Sequence, residues 1–305
     1  MKTALTPRIA LLLVLPPLLW AGNAVVGRAL VGSVPPLALN ALRWWLALAL
    51  LAPLAWRLWH TRAAVAARWA HLALLGLVGV GSYNALQYLA VQTSTPLNVT
   101  LIAASGPLFM MLVGALLHGE RPQARQFAGA ALSLAGVALV LARGSAQVLR
   151  ELHLVPGDLY MLVATASWAV YSWMLARPPD SMRGDARPHW NWAEFLGVQM
   201  LFGSLWATLG AAGEALLEPA PIRWSAGVAA ALLYVAVGPS LIAYRCWGIG
   251  VATVGPAVAA FFTNLTPLFA ALLSAALLGE WPAWYHGVAF VLIAAGIAVS
   301  SLPRR

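Results

Sequence analysis

The sequence predicts an all-α integral membrane protein with ten transmembrane helices, arranged as two inverted five-helix repeats. Three observations lead to this prediction: an apolar composition, a series of hydrophobic runs of membrane-spanning length, and an internal repeat with an offset of 160 residues. Because lipid is the implied solvent, the organisation of the chain is read by counting helices and not soluble domains.

The composition is that of a chain embedded in lipid. Of its 305 residues, 62% are hydrophobic and 9% are charged, and the mean hydropathy is +0.81. Soluble domains average about 45–50% apolar and 25% charged residues, so a soluble fold is excluded. The net charge of +9 comes from basic residues dispersed between apolar runs, which favours a topological role over nucleic-acid binding. The single cysteine, Cys246, permits neither an intramolecular disulfide nor a thiolate metal cluster.

The spanning elements follow from hydrophobic runs separated by loop signals. Each spanning helix needs about 20 mostly apolar residues, and prolines, glycines and arginine-rich stretches divide the chain into runs of that length. The first run also resembles a signal peptide, but nine further runs favour a retained helix. The predicted spans are residues 9–30, 36–57, 69–92, 97–118, 124–142, 157–177, 193–217, 224–248, 256–278 and 284–302.

The basic residues predict the orientation of these spans. With the N-terminus in the cytoplasm, twelve of the 18 lysines and arginines fall on the cytoplasmic side. Such an excess satisfies the positive-inside rule, so both termini are expected in the cytoplasm. The six other basic residues are Arg28, Arg143, Arg150 and Arg223 on the opposite side, and Arg43 and Arg245 within predicted spans.

An internal repeat divides the chain into two halves. Shifting the sequence by 160 residues aligns Pro107-Leu108-Phe109 with Pro267-Leu268-Phe269, Gly119-Glu120 with Gly279-Glu280, and Pro122 with Pro282. Because the first unit has an odd number of helices, the second must enter the membrane from the opposite side. Inverted repeats are typical of secondary transporters, which hold substrate near the midplane between their halves. The predicted organisation is a first repeat over residues 1–142, a connecting loop over 143–156 and a second repeat over 157–305.

Several of these motifs together resemble the EamA family of the drug/metabolite transporter superfamily. They are Leu19 to Asn23, Leu42-Arg43-Trp44, the connection from Tyr88 to Thr100, and the paired Pro-Leu-Phe and Gly-Glu motifs. The resemblance covers roughly residues 10–142 and 157–301. It implies a ten-helix transporter with inverted halves, in a family whose members often export amino acids, other metabolites or toxic amphiphiles. Within the family, the overall pattern and aromatic content look most like the bacterial YddG-type aromatic amino-acid exporters.

The candidate substrate-binding residues are aromatic and neutral polar groups placed inside apolar helices. Trp20 and Trp168 occupy comparable places in the two units, where they could sandwich a substrate or simply pack between helices. Tyr83 and Gln87 share one helix face, and Asn84 and Tyr88 another, so only one of these two pairs is expected to face a cavity. For each polar group, interhelical bonding and substrate contact both remain open. The candidates are Trp20, Asn23, Tyr83, Asn84, Gln87, Trp168, Tyr171, Tyr244 and Asn264.

Three further residues carry open hypotheses. Arg43, deep in the second span, needs either a structural partner or a substrate carboxylate. Pro107 and Pro267 interrupt corresponding helices and are candidate hinges for a rocking motion. All nine carboxylates fall in predicted loops or near helix ends, and the six histidines are also peripheral. No intramembrane proton relay is therefore expected, which favours a facilitator or exchanger.

The sequence thus predicts a multi-pass protein of the bacterial cytoplasmic (inner) membrane that exports or exchanges aromatic or other neutral amino acids through a central cavity by alternating access. Efflux of cationic amphiphilic drugs or quaternary amines is the alternative, because indole and phenol faces attract cations. A non-transporting structural or receptor role is a third hypothesis. No catalytic set, cofactor, metal or nucleic-acid partner is expected. Small residues in the fifth and tenth spans predict close helix packing and a homodimer as a further expectation.

Overall fold

The computed structural model of the chain describes residues 5–278 and 283–302. Every regular element in these ranges is helical. Eight helices are long and apolar enough to cross a membrane, or up to ten if each of two bent helix pairs is one span. The predicted class, a helical multi-pass membrane protein, is therefore confirmed. The second copy of the Gly-Glu pair, Gly279-Glu280, and the aligned Pro282 lie outside the described residues.

Ten long helical stretches follow one another along the described part of the chain, and short helices lie in some of the connections, such as Trp56–Thr61 and Arg62–Ala66. Proline occupies the first position of five of them, where its missing N–H costs no hydrogen bond. They are α1 (Pro7–Ala29), α2 (Pro36–Leu51), α3 (Trp69–Thr93), α4 (segments Pro96–Ala104 and Gly106–His118), α5 (Ala124–Leu141), α6 (Pro156–Ala176), α7 (Trp192–Leu217), α8 (Ala226–Val254), α9 (segments Pro256–Thr263 and Thr266–Leu278) and α10 (Trp284–Ser301).

Two predicted span ends are wrong. The span predicted over 36–57 ends at Leu51, and the next helical segment turns by 95°. Pro53 explains this end, because proline removes a backbone donor and disfavours helical geometry in the residue before it. At the other site, α8 continues past the predicted residue 248 to Val254. It stops there because Gly255 has a φ of +85° and a proline follows.

The helices pack in a pattern that is unchanged when the two halves are exchanged. α5 packs against α10 and α2 against α7, each helix against the one five places later. α3 packs against α6, and α1 packs against α8. Replacing each helix by its counterpart in the other half converts the α3–α6 pair into the α8–α1 pair. The main packing surfaces therefore join one half to the other, and the buried core lies at the seam between them.

Irregular backbone recurs at the same offset as the sequence repeat. α3 contains a π-helical turn at Leu77–Gly81 and α8 one at Ala236–Ile242. A shift of 160 residues places the first turn within the second. The interruptions of α4 at Ser105 and of α9 at Asn264 and Leu265 correspond in the same way. The internal repeat predicted from sequence therefore exists at the level of helix geometry.

Small residues bring α5 and α10 into close contact. A Cβ atom added at Gly129 would lie 2.8 Å from the Gly296 carbonyl oxygen, and one at Gly136 would lie 2.9 Å from the Ala289 carbonyl oxygen. Both carbon–oxygen distances are shorter than van der Waals contact, so these positions accommodate only glycine. The predicted close packing thus occurs within the chain, where α5 and α10 cover each other's glycine-rich faces.

Candidate functional site

A cavity of about 150 Å³ lies between the two halves. Engineered apolar cavities of about this volume bind benzene, so its size suits one aromatic ring or a small polar solute. Its walls come from α1, α3, α4, α6, α8 and α9, three helices from each half. The lining residues are Trp20, Asn23, Tyr83, Asn84, Gln87, Thr100, Ala103, Ala104, Gly106, Met110, Thr165, Trp168, Tyr244, Ala260, Thr263, Asn264, Thr266 and Pro267.

Eight of the nine predicted substrate-binding residues line this cavity, and Tyr171 does not. The Tyr171 hydroxyl donates to Gln199 Oε1 at 2.9 Å, and its ring packs behind Trp168 with centroids 5.1 Å apart. A Cβ atom at Gly79 would lie 2.2 Å from the Tyr171 ring. Tyr171 therefore fills the space left by a glycine of α3 and supports the cavity wall from behind.

Trp168 is the centre of an aromatic cluster at one side of the cavity. Its ring contacts those of Trp20, Tyr83 and Trp247 at centroid distances of 5.3, 5.5 and 5.3 Å. It also contacts Tyr244 at 5.5 Å. Aromatic pairs favour such tilted or edge-to-face contacts, each contributing about 0.5–1.5 kcal/mol beyond buried area. The cluster gives the cavity a rigid aromatic wall.

Trp20 and Trp168 contact each other directly in this conformation and do not form the sandwich that was one of the two sequence hypotheses. The two indoles meet edge to face with an interplanar angle of 88°, so there is no ring-sized gap between them. Trp20 is held in this position because its Nε1 donates to the Pro239 carbonyl at 3.2 Å. Pro239 lies in the π-helical turn of α8. The two indoles therefore present edges and faces toward the cavity from one side of it.

Trp247 belongs to this cluster and was missed by sequence reasoning. It is fully buried, contacts Trp20 and Trp168, and donates from Nε1 to Ser172 Oγ at 3.1 Å. The predicted span ended at residue 248, and Trp247 was not among the candidate substrate-binding residues. The spacing of three residues from Tyr244, which puts both on one helix face, was the available signal.

Three residues of α3 face the cavity, whereas the sequence predicted that only one pair would do so. Tyr83, Asn84 and Gln87 all line it. Tyr88 instead lies on the far side, where its hydroxyl accepts a hydrogen bond from Arg43 Nη1 at 3.4 Å. These residues lie just after the π-helical turn of α3, and side chains from both predicted faces reach the cavity there.

Arg43 is fully buried next to the cavity and has neutral partners. Its Nε and Nη2 donate to Ser240 Oγ at 3.1 and 2.9 Å, and its Nη1 donates to Asn23 Oδ1 at 3.3 Å. The guanidinium also lies 5.0 Å from the centroid of the Trp44 ring. In the part of the chain that the structure describes, no carboxylate oxygen forms an ion pair with Arg43. Arg43 therefore has structural hydrogen-bond partners, and Asn23 connects it to the cavity.

Asn264 lies at the interruption of α9 and is 1% exposed. Its Nδ2 donates to Ser133 Oγ of α5 at 2.8 Å. Its Oδ1 is buried without a hydrogen-bond partner among the described residues. Because a buried polar atom is costly when unpaired, a hydrogen-bond donor that reached this oxygen would stabilise it.

The two candidate hinge prolines follow the helix interruptions directly. Pro107 and Pro267 are each the second residue of the second segment of α4 and α9. Proline is tolerated there because the first turn of a helix has unpaired donors. The described segments of α4 are bent by 45° at this point, and Pro267 lines the cavity whereas Pro107 does not. Both prolines thus mark the breaks, and their role as hinges stays a prediction.

The carboxylates of the described residues lie in connections or near helix ends, and none of them lines the cavity. Asp158, 2% exposed at the start of α6, accepts hydrogen bonds from Asn98 Nδ2 at 2.8 Å, from the Val155 backbone N–H at 2.9 Å and from the Ser94 hydroxyl. This bonding ties the second half to the α3–α4 corner. At the other end of α6, Arg177 pairs with Glu120, which follows α4.

Two similar helical halves that enclose a central cavity are the arrangement found in secondary membrane transporters. Comparison with protein families identifies which family of transporters the chain belongs to. The EamA-like transporter family matches residues 7–142 and 155–302, so the family domain is present twice. The chain belongs to this family, and it is a membrane-embedded transporter of small molecules.

Individual relatives agree with this assignment over most of their length. An "uncharacterized transporter" of Archaeoglobus fulgidus is 28% identical over 305 residues, covering 95% of this chain and 96% of the relative. The aromatic amino acid exporter YddG of Ancylobacter novellus is 28% identical over 243 residues, covering 78% of this chain and 76% of the relative. A protein crystal structure matches with a TM-score of 0.74 at 25% identity, covering 96% of both chains.

Proposed function

We propose that this transporter exports or exchanges aromatic or other neutral amino acids by alternating access through the central cavity. The observation that carries the proposal is the cavity itself, which combines an aromatic wall around Trp168 with the amides of Asn23, Asn84 and Asn264. An aromatic side chain would bury apolar area against that wall, and the neutral polar groups would bind the amino-acid backbone. The resemblance to an aromatic amino acid exporter supports the same substrate class.

The transport cycle requires a specific membrane arrangement, which is part of the proposal. Ten spans form two inverted repeats, residues 1–142 and 157–305, joined by the loop at 143–156. Both termini lie in the cytoplasm of a bacterial cell, and the chain spans its cytoplasmic membrane. The contact pattern that survives exchange of the halves supports a two-fold relation between them. The excess of basic residues in loops assigned to the cytoplasm supports the orientation.

Two contacts between α6 and the first half would control access from opposite sides. The Asp158 contact with Ser94 and Asn98 lies at the start of α6, and the pair of Arg177 and Glu120 lies at its end. In the proposed topology the first contact faces the outside and the second faces the cytoplasm. Alternating access follows if the two contacts open in turn while the repeats rock about the breaks at Pro107 and Pro267.

Substrate counterflow in proteoliposomes tests the proposal directly. The purified protein should exchange internal L-phenylalanine for labelled external L-phenylalanine faster than empty liposomes do. Trp20→Ala and Trp168→Ala should reduce this exchange strongly, because each removes part of the aromatic wall. Trp224→Ala is the matched control, since Trp224 is 62% exposed and lies outside the cavity. A lack of exchange with any aromatic or neutral amino acid would contradict the proposed substrate class.

Cationic amphiphiles fit this site less well. The side chains that line the cavity carry no carboxylate in the described part of the chain, and the cavity of about 150 Å³ is small for a drug-sized dication. The buried guanidinium of Arg43 beside Asn23 also makes the local electrostatic potential positive. Both features favour a solute that carries a negative group.

A further inference from the structure

We propose that the cavity recognises both charged groups of an α-amino acid through two fixed amides, so that a free carboxylate and a free ammonium are both required. Asn23, oriented by Arg43, receives the carboxylate. Asn264, whose Nδ2 donates to Ser133 Oγ, receives the ammonium. This inference rests on the proposed function and names the chemical feature by which the same site selects its substrate.

Arg43 determines which atom of the Asn23 amide faces the cavity. A guanidinium can only donate hydrogen bonds, so the amide atom 3.3 Å from Arg43 Nη1 is the oxygen, Oδ1. This leaves Nδ2 with its two N–H groups, and the described residues offer it no acceptor. Asn23 is 5% exposed and lines the cavity. The cavity therefore contains an oriented donor that matches a carboxylate.

The charge of Arg43 strengthens this donor site. Arg43 is fully buried and contacts the neutral groups of Ser240, Asn23 and Tyr88. Among the described residues this cation has no ion-pair partner, and a buried charge without one is poorly compensated. A substrate carboxylate bound to Asn23 Nδ2 would place a negative charge near Arg43, with the Asn23 amide between the two charges. Donation from Arg43 also polarises that amide, which strengthens the bond it gives.

The Asn264 amide presents the complementary atom. Its nitrogen donates to Ser133 Oγ at 2.8 Å, and its Oδ1 is buried without a partner in the described part of the chain. An ammonium group has three donors and no acceptor, so it satisfies this oxygen. Nearby tryptophan faces would stabilise the same positive charge. The donor at Asn23 and the acceptor at Asn264 thus correspond to the two ends of a zwitterion.

Competition against L-phenylalanine counterflow by four compounds tests this assignment. The compounds are unlabelled L-phenylalanine, 3-phenylpropionate, which lacks the ammonium, and phenethylamine and L-phenylalanine amide, which lack the carboxylate. With the unmodified protein, each of the last three should compete about tenfold or more weakly than L-phenylalanine, the effect of losing one charge-assisted hydrogen bond. Equal competition by all four compounds would overturn the inference while leaving amino-acid transport intact.

Two nearly isosteric variants separate the two ends. Asn23→Asp replaces the donor by an acceptor and pairs with Arg43, so it should lose the advantage of L-phenylalanine over phenethylamine. Asn264→Asp should instead increase competition by phenethylamine and decrease competition by 3-phenylpropionate. Asn191→Asp is the matched control, because Asn191 is an exposed helix cap where aspartate functions equally well. If both cavity variants keep the unmodified order of competition, the inference is wrong.

The same experiment distinguishes this inference from the proposed function. If the unmodified protein shows no counterflow of any aromatic amino acid, the proposed function fails and the two-amide site fails with it. If counterflow occurs and the Trp168→Ala variant loses it, but charge removal from the substrate has no effect, the transporter assignment stands and the two-amide site alone is rejected.

Discussion

Substituting Asp158 by asparagine should shift the transporter toward the conformation that is open near the start of α6. The buried carboxylate accepts hydrogen bonds from the Ser94 hydroxyl, Asn98 Nδ2 and the Val155 backbone N–H. Asparagine replaces one accepting oxygen with an NH₂ group, so one or two of these bonds are lost. Hydrogen bonds to charged groups contribute about 1.5–3 kcal/mol each. The Val155 bond belongs to the start of α6 itself, whereas the Ser94 and Asn98 bonds form only when α6 meets the α3–α4 corner. Losing one of these two bonds therefore acts on one conformation.

The expected loss of about 1.5–3 kcal/mol corresponds to a change of about tenfold or more in the ratio of the two conformations. The assay is the labelling rate of a cysteine introduced at Thr100, which lines the cavity, by a membrane-impermeant thiol reagent. The background carries Cys246→Ala to remove the single native cysteine. In right-side-out vesicles, Asp158→Asn should label faster from the outside than its parent does.

Asp180→Asn is the matched control for this experiment. The Asp180 side chain is fully exposed and pairs with Arg183 on the protein surface, at a distance of 3.3 Å. Its substitution should leave the labelling rate unchanged. The reasoning is refuted if Asp158→Asn folds with normal abundance and its cavity cysteine labels at the parental rate from both sides.

Two further predictions concern packing and the opposite end of α6. Gly136→Ala should lower the free energy of unfolding by about 1–3 kcal/mol, because its Cβ would overlap α10. Gly213→Ala is the control, because this helical position has open space around it, and it should leave that free energy unchanged or raise it. Thermal unfolding in detergent measures both variants. Equal melting temperatures of the two variants would contradict the packing account. Glu120→Arg or Arg177→Glu alone should increase access to the cavity from the cytoplasmic side. The double variant re-forms the ion pair and should return access to the parental level, as measured by cysteine labelling in inside-out vesicles. A double variant that labels as fast as either single variant would remove this pair from the gating mechanism.

The fold could be predicted largely from sequence because lipid imposes a simple rule on the backbone. Every spanning segment must satisfy its hydrogen bonds internally, so apolar runs of sufficient length become helices. The two wrong span ends occur where a proline or a glycine stops a helix at a position that hydropathy does not indicate. Pro53 ends α2 early, and α8 continues past the predicted boundary until Gly255 and its following proline stop it. Hydropathy does not resolve such ends to a single turn.

The candidate site was predicted less completely than the fold. Polar and aromatic residues inside apolar helices were the correct pool, because unpaired polar groups are costly in lipid. Sequence did not reveal which of them reach the cavity and which support it from behind. Tyr171 fits against Gly79 and bonds Gln199, whereas Trp247, which was not among the predicted candidates, lies in the buried aromatic cluster. These distinctions depend on the rotation of each helix about its axis.

The sequence by itself determined that this chain is a helical membrane protein with an internal repeat and an apolar interior that contains neutral polar groups. Composition, run length and the offset of 160 residues suffice for that, because they reflect local and periodic constraints. Only the tertiary structure decided that Arg43 faces Ser240, Asn23 and Tyr88, that Asn264 bonds Ser133, and that the tryptophans meet edge to face. Those contacts join residues of different helices, up to 197 positions apart in the case of Arg43 and Ser240. Their geometry is set by the packing of the two halves against each other, which no local pattern encodes.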